Sequence, residues 1–297
     1  MLKTVTGVAR LNFLTLTLLC VLLAVMYSLY QGSAVQPLQW GLVSIIALAA
    51  HASVNAFNEY SDFQSGLDFL TPKTPFSGGS GTLIKAPEKA GWALVFAWFT
   101  LAIVVVGGLV LVFDYGWPLL FIGVPGVIII YTYTQHINRL PMVCLAAPGI
   151  GFGLLMTLGA IWVFQETLTA GAWLLAFMVS LLVSNLLLLN QFPDVEADQK
   201  VGRRNLPIML GKARCTVIFA GQYGLAVLLL LFGVVVSWLP AQALIALLAV
   251  PMLMKLVPGV SRTKGSVHKL TPFLGLNVAF IHLYLLLLIA GLLWAWW

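Results

Sequence analysis

Long apolar stretches broken by short polar segments run the whole length of the chain, and this pattern predicts its elements. Stretches of about 20 apolar residues, the length a helix needs to cross a bilayer, lie near 10–31, 38–60, 91–113, 117–134, 143–164, 171–192, 215–238, 240–257 and 272–295. They predict nine transmembrane helices and an all-α polytopic membrane protein. The first stretch stays apolar too long for a signal peptide and lacks a small-residue cleavage pattern, so it reads as a span.

Composition supports this class: 61% of the 297 residues are hydrophobic and 8% are charged, far from the balance of a soluble domain. The charges also set an expected orientation. Lys3 and Arg10 precede the first span. Lys73, Lys85, Lys89, Arg139, Lys200, Arg203, Arg204, Lys212, Arg214, Lys255, Arg262, Lys264 and Lys269 fall in or beside the loops 2/3, 4/5, 6/7 and 8/9. The positive-inside rule places that face and the N-terminus in the cytoplasm and the C-terminus on the opposite side. The far face keeps Asp114 and Glu166 and ends in the Trp-rich GLLWAWW. The expected location is the cell inner (plasma) membrane. The net charge of +6 therefore reads as a topology signal, with attraction to anionic membrane lipids as a by-product and nucleic acid not expected as a partner. Cys20, Cys144 and Cys215 are scattered without metal-ligand spacing and read as packing residues.

Acidic residues are rare and concentrated. Glu59, Asp62, Asp68, Glu88, Asp194, Glu196 and Asp198 lie in or beside two segments, Asn55 to Asp68 and Asn190 to Asn205, or on the adjoining loops. Ionisable groups at span ends are kept where they are solvated, paired or used. At an offset of 132 residues Asn58 falls on Asn190 and Asp62 on Asp194. Four spans separate the two segments, so the halves, roughly 1–134 and 143–297 of a single domain covering 1–297, share one orientation, as parallel repeats do.

Residues four apart share a helix face, so Asn58 and Asp62 form one row and Asp194 and Asp198 another. Asn55 extends the first row loosely, and Asp68 follows Gly66, where the helix is expected to turn. Four to six facing oxygen ligands without His or Cys suit Mg²⁺ that keeps waters and is shared with phosphates; zinc is not expected. Lys73 follows the first segment and Lys200, Arg203 and Arg204 belong to the second, which suits a diphosphate. The glycine-rich KTPFSGGSGTL, Lys73 to Leu83, reads either as a backbone cradle for phosphate oxygens or as a flexible connector.

These motifs resemble those of the UbiA-type intramembrane prenyltransferases, most closely the branch that prenylates 1,4-dihydroxy-2-naphthoate in menaquinone biosynthesis. Asn58, Glu59, Tyr60, Asp62, Gly66 and Asp68 match the first motif with one acid exchanged for another. Asn190, Asp194, Asp198, Gly202, Leu210 and Gly211 match the second, and Arg10 resembles the Arg that opens the family's first helix. Pro193 stands where the second motif often has a basic residue, and YTYTQHINRLP lacks the Gly-Leu-Gly-acid signature of the naphthoate branch. The acceptor therefore stays open among 1,4-dihydroxy-2-naphthoate, 4-hydroxybenzoate, another quinone precursor and a quinolone.

The resemblance implies helices around a central cavity. It also implies an Mg²⁺-dependent transfer of a polyprenyl group from an allylic isoprenoid diphosphate to an aromatic acceptor, with no obligate protein partner. It assigns Asn58, Asp62, Asp68, Asp194 and Asp198 to metal, Arg10, Lys73, Lys200, Arg203 and Arg204 to the diphosphate, and catalysis to Asp62, Asp194 and Tyr131. Tyr131 and Tyr133 are candidates for lining the chamber or for interface tyrosines. His136 and His268 read as solvated loop residues. His51 and His282 read as interhelical hydrogen-bonding groups, with catalysis the lesser reading. Paired carboxylates on parallel repeats also describe cation transporters. Those sites, however, sit near the bilayer midplane, whereas these acids sit at one boundary.

Overall fold

The computed structural model describes residues 2–263 and 266–297; Lys264, counted above among the loop cations, lies outside the described residues. The described residues form helices and connecting loops, without strands. A short helix α1 (Leu2–Val8) meets α2 (Leu11–Tyr30) at Arg10, whose backbone is left-handed with φ 52°. α3 (Pro37–Gln64) follows, then α4 (Leu67–Leu70), α5 (Thr82–Lys85) and α6 (Ala90–Tyr115). A 3₁₀ turn (Trp117–Leu119) leads into α7 (Leu120–Thr132). α8 (Pro141–Gly149), a π-helical stretch (Ile150–Thr157) and α9 (Leu158–Gln165) form one continuous rod. α10 (Ala170–Asn190), α11 (Val195–Lys200) and α12 (Leu206–Val235) come next. A 3₁₀ stretch (Ala241–Ala249) runs into α13 (Pro251–Arg262), and α14 (Val267–Trp296) closes the chain.

Eight of these rods are long and apolar enough to span a bilayer, and the chain is an integral membrane protein. The expected fourth span, 117–134, is the exception in length. Trp117–Thr132 is apolar but covers only about 25 Å, short of the roughly 30 Å of bilayer hydrocarbon. Tilting would shorten its reach further, so a spanning role for this segment needs local thinning of the lipid.

The ends of the spans follow local chemistry. α3 begins with a capping box between Gln36 and Gln39 and Pro at its first turn. It runs beyond residue 60 to Gln64 and stops where Gly66 takes a left-handed φ of 76°, a conformation that costs glycine little. α12 begins on Asn205, whose side chain accepts from Ile208 N–H at 3.1 Å.

α10 is the central pillar: Leu175, Val179, Leu182 and Leu188 have no exposed surface. It packs on α12, on α8 and on the π-helical stretch, while α14 packs on the 3₁₀ stretch and α2, and α3 on α6. Gly149 and Gly153 let the rod approach α10 until a methyl at either position would collide with Ser180. One end of the bundle is tied by neutral bonds, among them Tyr27 to Thr169 at 2.5 Å and Gln39 to Tyr115 at 3.1 Å. The other end carries the charged groups described next.

Candidate functional site

A cavity of about 660 Å³ is bounded by α2, α3, α6, α7, the α8–α9 rod and α10. Its depth is apolar, with Leu111, Ile122, Leu155 and Met156 among its walls. Its mouth is polar. Asn55, Asn58, Asp62 and Asp68 from the first acidic segment meet Asn190, Asp194 and Asp198 from the second, together with Arg10, Arg203, Ser77, Gly78 and Gly79.

Arg203 joins the two segments. Its guanidinium donates to Asp198 Oδ1 at 3.0 Å and also to Asp62 Oδ1, 141 residues away in sequence. Asn205 donates to the other Asp198 oxygen at 2.7 Å. Asp194 stands outside this cluster. The chain leaves α10 at Asn190 and makes a tight turn in which Asp194 N–H donates to Gln191 C=O, and Asp194 then caps α11 with its main chain. The repeat is therefore inexact: Asp62 rides on the last turns of a span, while Asp194 sits on a turn beyond one.

The glycine-rich loop folds back over the first segment. Gly78, Gly79 and Gly81 all have positive φ (82°, 74° and 68°). Gly79 lies so close to Asp68 that an added methyl would strike the carboxylate. Lys73 donates to Asp68 Oδ1 at 2.9 Å and to the Gly78 carbonyl. The Ser80 N–H and hydroxyl donate to the two Glu59 oxygens, each at 2.7 Å. Arg10 completes this clamp, with Nε to Glu59 Oε1 at 2.8 Å and Nη2 to Asn58 Oδ1 at 3.2 Å.

Among the buried oxygens without hydrogen-bond partners are Asp68 Oδ2, Asp194 Oδ1, Asn190 Oδ1 and Asn138 Oδ1. All four residues line the cavity. Burial, reinforced by the neighbouring Asp198 charge, raises the Asp194 carboxyl to about pH 7. Burial likewise raises Asp68 and Asp198, against the pull of Lys73 on the first and of Arg203 and Asn205 on the second. Such a donor set, all oxygen and partly unpaired, fits a hard divalent cation. Among the described residues no three carboxylate, imidazole or thiol groups form a ready-made cage.

The expected site residues do not all converge. Asn58, Asp62, Asp68, Asp194, Asp198, Arg10 and Arg203 line the cavity. Lys73 reaches its rim through Asp68 and Gly78. Lys200 and Arg204 are exposed and absent from the cavity wall. Tyr131 packs with Phe57 and Trp98 and is 43% exposed, while Tyr133, two residues on, lines the cavity. His136 and His268 are exposed. His282 is satisfied by Thr15 and by the Val278 carbonyl, as an interhelical group should be. Glu59 is fully buried and faces Arg10 and the glycine-rich loop.

Asn138, Gln191 and Asn205 are polar wall residues to which the sequence assigned no role. Asn205 carries a readable signal, a helix-capping Asn followed by Leu-Pro. Asn138 carries none, since its position depends on Arg204 N–H donating to its carbonyl at 3.1 Å across 66 residues of chain.

A model of the UbiA prenyltransferase family matches residues 17–277. Among curated proteins, the chain is 26% identical over 217 residues to the 1,4-dihydroxy-2-naphthoate octaprenyltransferase of Bacillus subtilis (strain 168). The match covers 70% of this chain and 66% of that relative, so the chain spans just under two thirds of its length. Among solved structures, the apo form of a UbiA homologue from Aeropyrum pernix K1 superposes with a TM-score of 0.70 at 20% identity, covering 93% of this chain and 96% of that one. A UbiA homologue from Archaeoglobus fulgidus bound to DMAPP and Mg²⁺ superposes with a TM-score of 0.62 at 13% identity, covering 96% and 99%. At these identities the likeness to both structures is one of fold.

Proposed function

The chain belongs to the UbiA prenyltransferase family, and we propose from that premise that it transfers a polyprenyl group from an allylic isoprenoid diphosphate to an aromatic quinone precursor. The favoured acceptor is 1,4-dihydroxy-2-naphthoate, by analogy with the naphthoate-prenylating relative, which would place the enzyme in menaquinone biosynthesis. One observation carries the reading: two acidic segments, with Asp62 and Asp194 lying 132 residues apart in sequence, meet at the polar mouth of a cavity whose depth is apolar. The mouth suits a diphosphate and the depth an isoprenoid tail.

In this reading Asn58, Asp62, Asp68, Asp194 and Asp198 hold Mg²⁺, as the Archaeoglobus fulgidus homologue binds Mg²⁺ with DMAPP. The metal, when bound, supplies charge neutralisation to the leaving pyrophosphate. Arg10, Arg203 and Lys73 receive phosphate oxygens, with the N–H groups of the glycine-rich loop beside them. Lys200 and Arg204 act from the rim as long-range attraction. As the allylic C–O bond breaks, the electron pair leaves on the diphosphate and the electron-rich ring attacks the carbocation; the attacked ring carbon then regains aromaticity by releasing its proton or carboxyl group. The apolar walls exclude water from that cation, and the Tyr133 face at the cavity wall can stabilise it. The two halves, roughly 1–134 and 143–297, then act as parallel repeats of one domain, with the charged end in the cytoplasm and the whole in the plasma membrane.

Incubation of purified protein with labelled polyprenyl diphosphates, Mg²⁺ and a panel of aromatic acids, with products identified by mass, tests the function. A prenylated naphthoate-derived product is expected. Absence of transfer to every acceptor, combined with flux of divalent cation into proteoliposomes without any isoprenoid, would establish the transporter instead.

A further inference from the structure

The polar row on α3 does not end at the diphosphate site. At 3.6 residues per turn, His51, Asn55, Asn58 and Asp62 fall within about 60° of arc on one face, and all four line the cavity. His51 lies about 10 Å deeper along the helix than Asn58, at 1.5 Å per residue, where the surrounding wall is apolar.

The imidazole is more than nine-tenths buried and held in place on two sides. Thr17 Oγ1 on α2 bonds Nδ1 at 2.7 Å, and Phe152 on the π-helical stretch meets the ring edge-on at a centroid distance of 4.9 Å. The interhelical role expected of this histidine thus uses one nitrogen. Nε2 has no hydrogen bond to any described residue. Nε2 keeps surface open to the cavity that His51 lines, where an isoprenoid tail, all hydrocarbon, offers it no hydrogen bond. An aromatic acceptor can offer one, because it brings ring oxygens into the same chamber.

We propose that His51 Nε2 hydrogen-bonds a ring hydroxyl or carbonyl oxygen of the aromatic acceptor and orients its nucleophilic carbon toward the allylic carbon, with Thr17 as the positioning residue that holds the imidazole plane. This inference rests on the proposed transfer reaction and identifies how the acceptor is recognised. Both tautomers serve: Nε2 donates to an oxygen when the Thr17 hydroxyl donates to Nδ1, and accepts from a hydroxyl when Thr17 accepts from Nδ1–H.

The test is steady-state kinetics of His51→Leu, His51→Gln and Thr17→Val with 1,4-dihydroxy-2-naphthoate and a polyprenyl diphosphate, alongside thermal unfolding of each variant. His51→Leu is expected to raise the acceptor KM at least tenfold while the KM for prenyl diphosphate stays within twofold. His51→Gln is expected to recover part of that loss, and Thr17→Val to raise the acceptor KM less. A folded His51→Leu with unchanged acceptor KM, or with both KM values raised alike, overturns the proposal. If His51→Leu does not fold, unchanged acceptor KM in both His51→Gln and Thr17→Val overturns it. Wild-type protein that prenylates no aromatic acceptor overturns the transferase reading itself, a separate result.

Discussion

Arg203 donates to Asp62, and this contact joins residues 141 positions apart that belong to opposite halves of the chain. Because the same guanidinium also holds Asp198 at 3.0 Å, it neutralises two carboxylates that would otherwise repel across the cavity mouth. In the proposed reaction Asp62 and Asp198 would hold Mg²⁺, which would supply that neutralisation when bound, and Arg203 would receive diphosphate oxygens. Arg203→Gln is therefore expected to lower kcat/KM for the prenyl diphosphate by about a hundredfold, the scale for losing one donor aimed at developing charge. It should also make the stability of the mouth more dependent on Mg²⁺, read as a larger Mg²⁺-dependent gain in Tm than in wild type. An unchanged kcat/KM would remove Arg203 from the diphosphate site.

Asp194 makes the opposite trade between stability and function. Its Oδ1 is buried without a partner and burial raises its carboxyl to about pH 7. A folded-state value above the unfolded one, about 3.9, means that ionising Asp194 destabilises the fold. Its contribution to stability is complete below about pH 4 and is lost as pH rises through 7. Asp194→Asn, which cannot ionise, is expected to raise Tm at pH 8 without Mg²⁺ by about 2 °C or more, at roughly 2–4 °C per kcal/mol for a chain of this size. The difference should shrink below pH 6, while transfer activity falls at least a hundredfold. A lower Tm for the variant at pH 8 would show that Asp194 is paired in the folded protein.

Glu59 holds the glycine-rich loop instead of facing the site. One residue past Asn58, it is rotated about 100° around the helix, which turns it from the cavity toward Arg10 and Ser80. Glu59→Ala leaves the Arg10 guanidinium without its carboxylate, and breaking a buried pair from one side costs about 3–5 kcal/mol. The loop should then detach. Limited proteolysis between residues 74 and 81 is expected to accelerate, and the KM for prenyl diphosphate to rise more than kcat falls. Glu59→Asp, shorter by one methylene, should give a smaller change in the same direction. Unaltered proteolysis in Glu59→Ala would show that Ser80 is held by other means.

The parts of this protein readable from sequence are those set by local pattern. The apolar runs fix the spans, Gly66 stops α3 where a left-handed residue is needed, and the spacing of Asn58 to Asp62 puts both on the cavity face. What the sequence left unread depends on contacts distant along the chain. The choice of Arg203 over its neighbour Arg204 is set by how the turn after α11 meets α3. Glu59 belongs to the same motif as Asp62 but takes a different azimuth and so a different job. The short Trp117–Thr132 helix reads as an ordinary span because hydropathy reports composition well and length poorly when a 3₁₀ turn precedes the helix.

The same geometry separates two tyrosines that the sequence treats alike. Tyr131 lies against Phe57 and Trp98, with ring centroids at 5.9 and 5.5 Å, and keeps 43% of its surface exposed. Tyr133 has turned by two residues, about 200° around the helix, and lines the cavity together with Cys144 and Gln191. If an aromatic face is needed near the allylic cation, it is the one at 133, and cation–π contacts in a desolvated site contribute about 2 kcal/mol. Tyr133→Leu is therefore expected to lower kcat by about tenfold or more, with Tyr133→Phe close to wild type because the ring is kept. Tyr131→Leu should leave kcat within about twofold and lower Tm through lost packing. Equal losses of kcat at the two positions would place the cation elsewhere in the chamber.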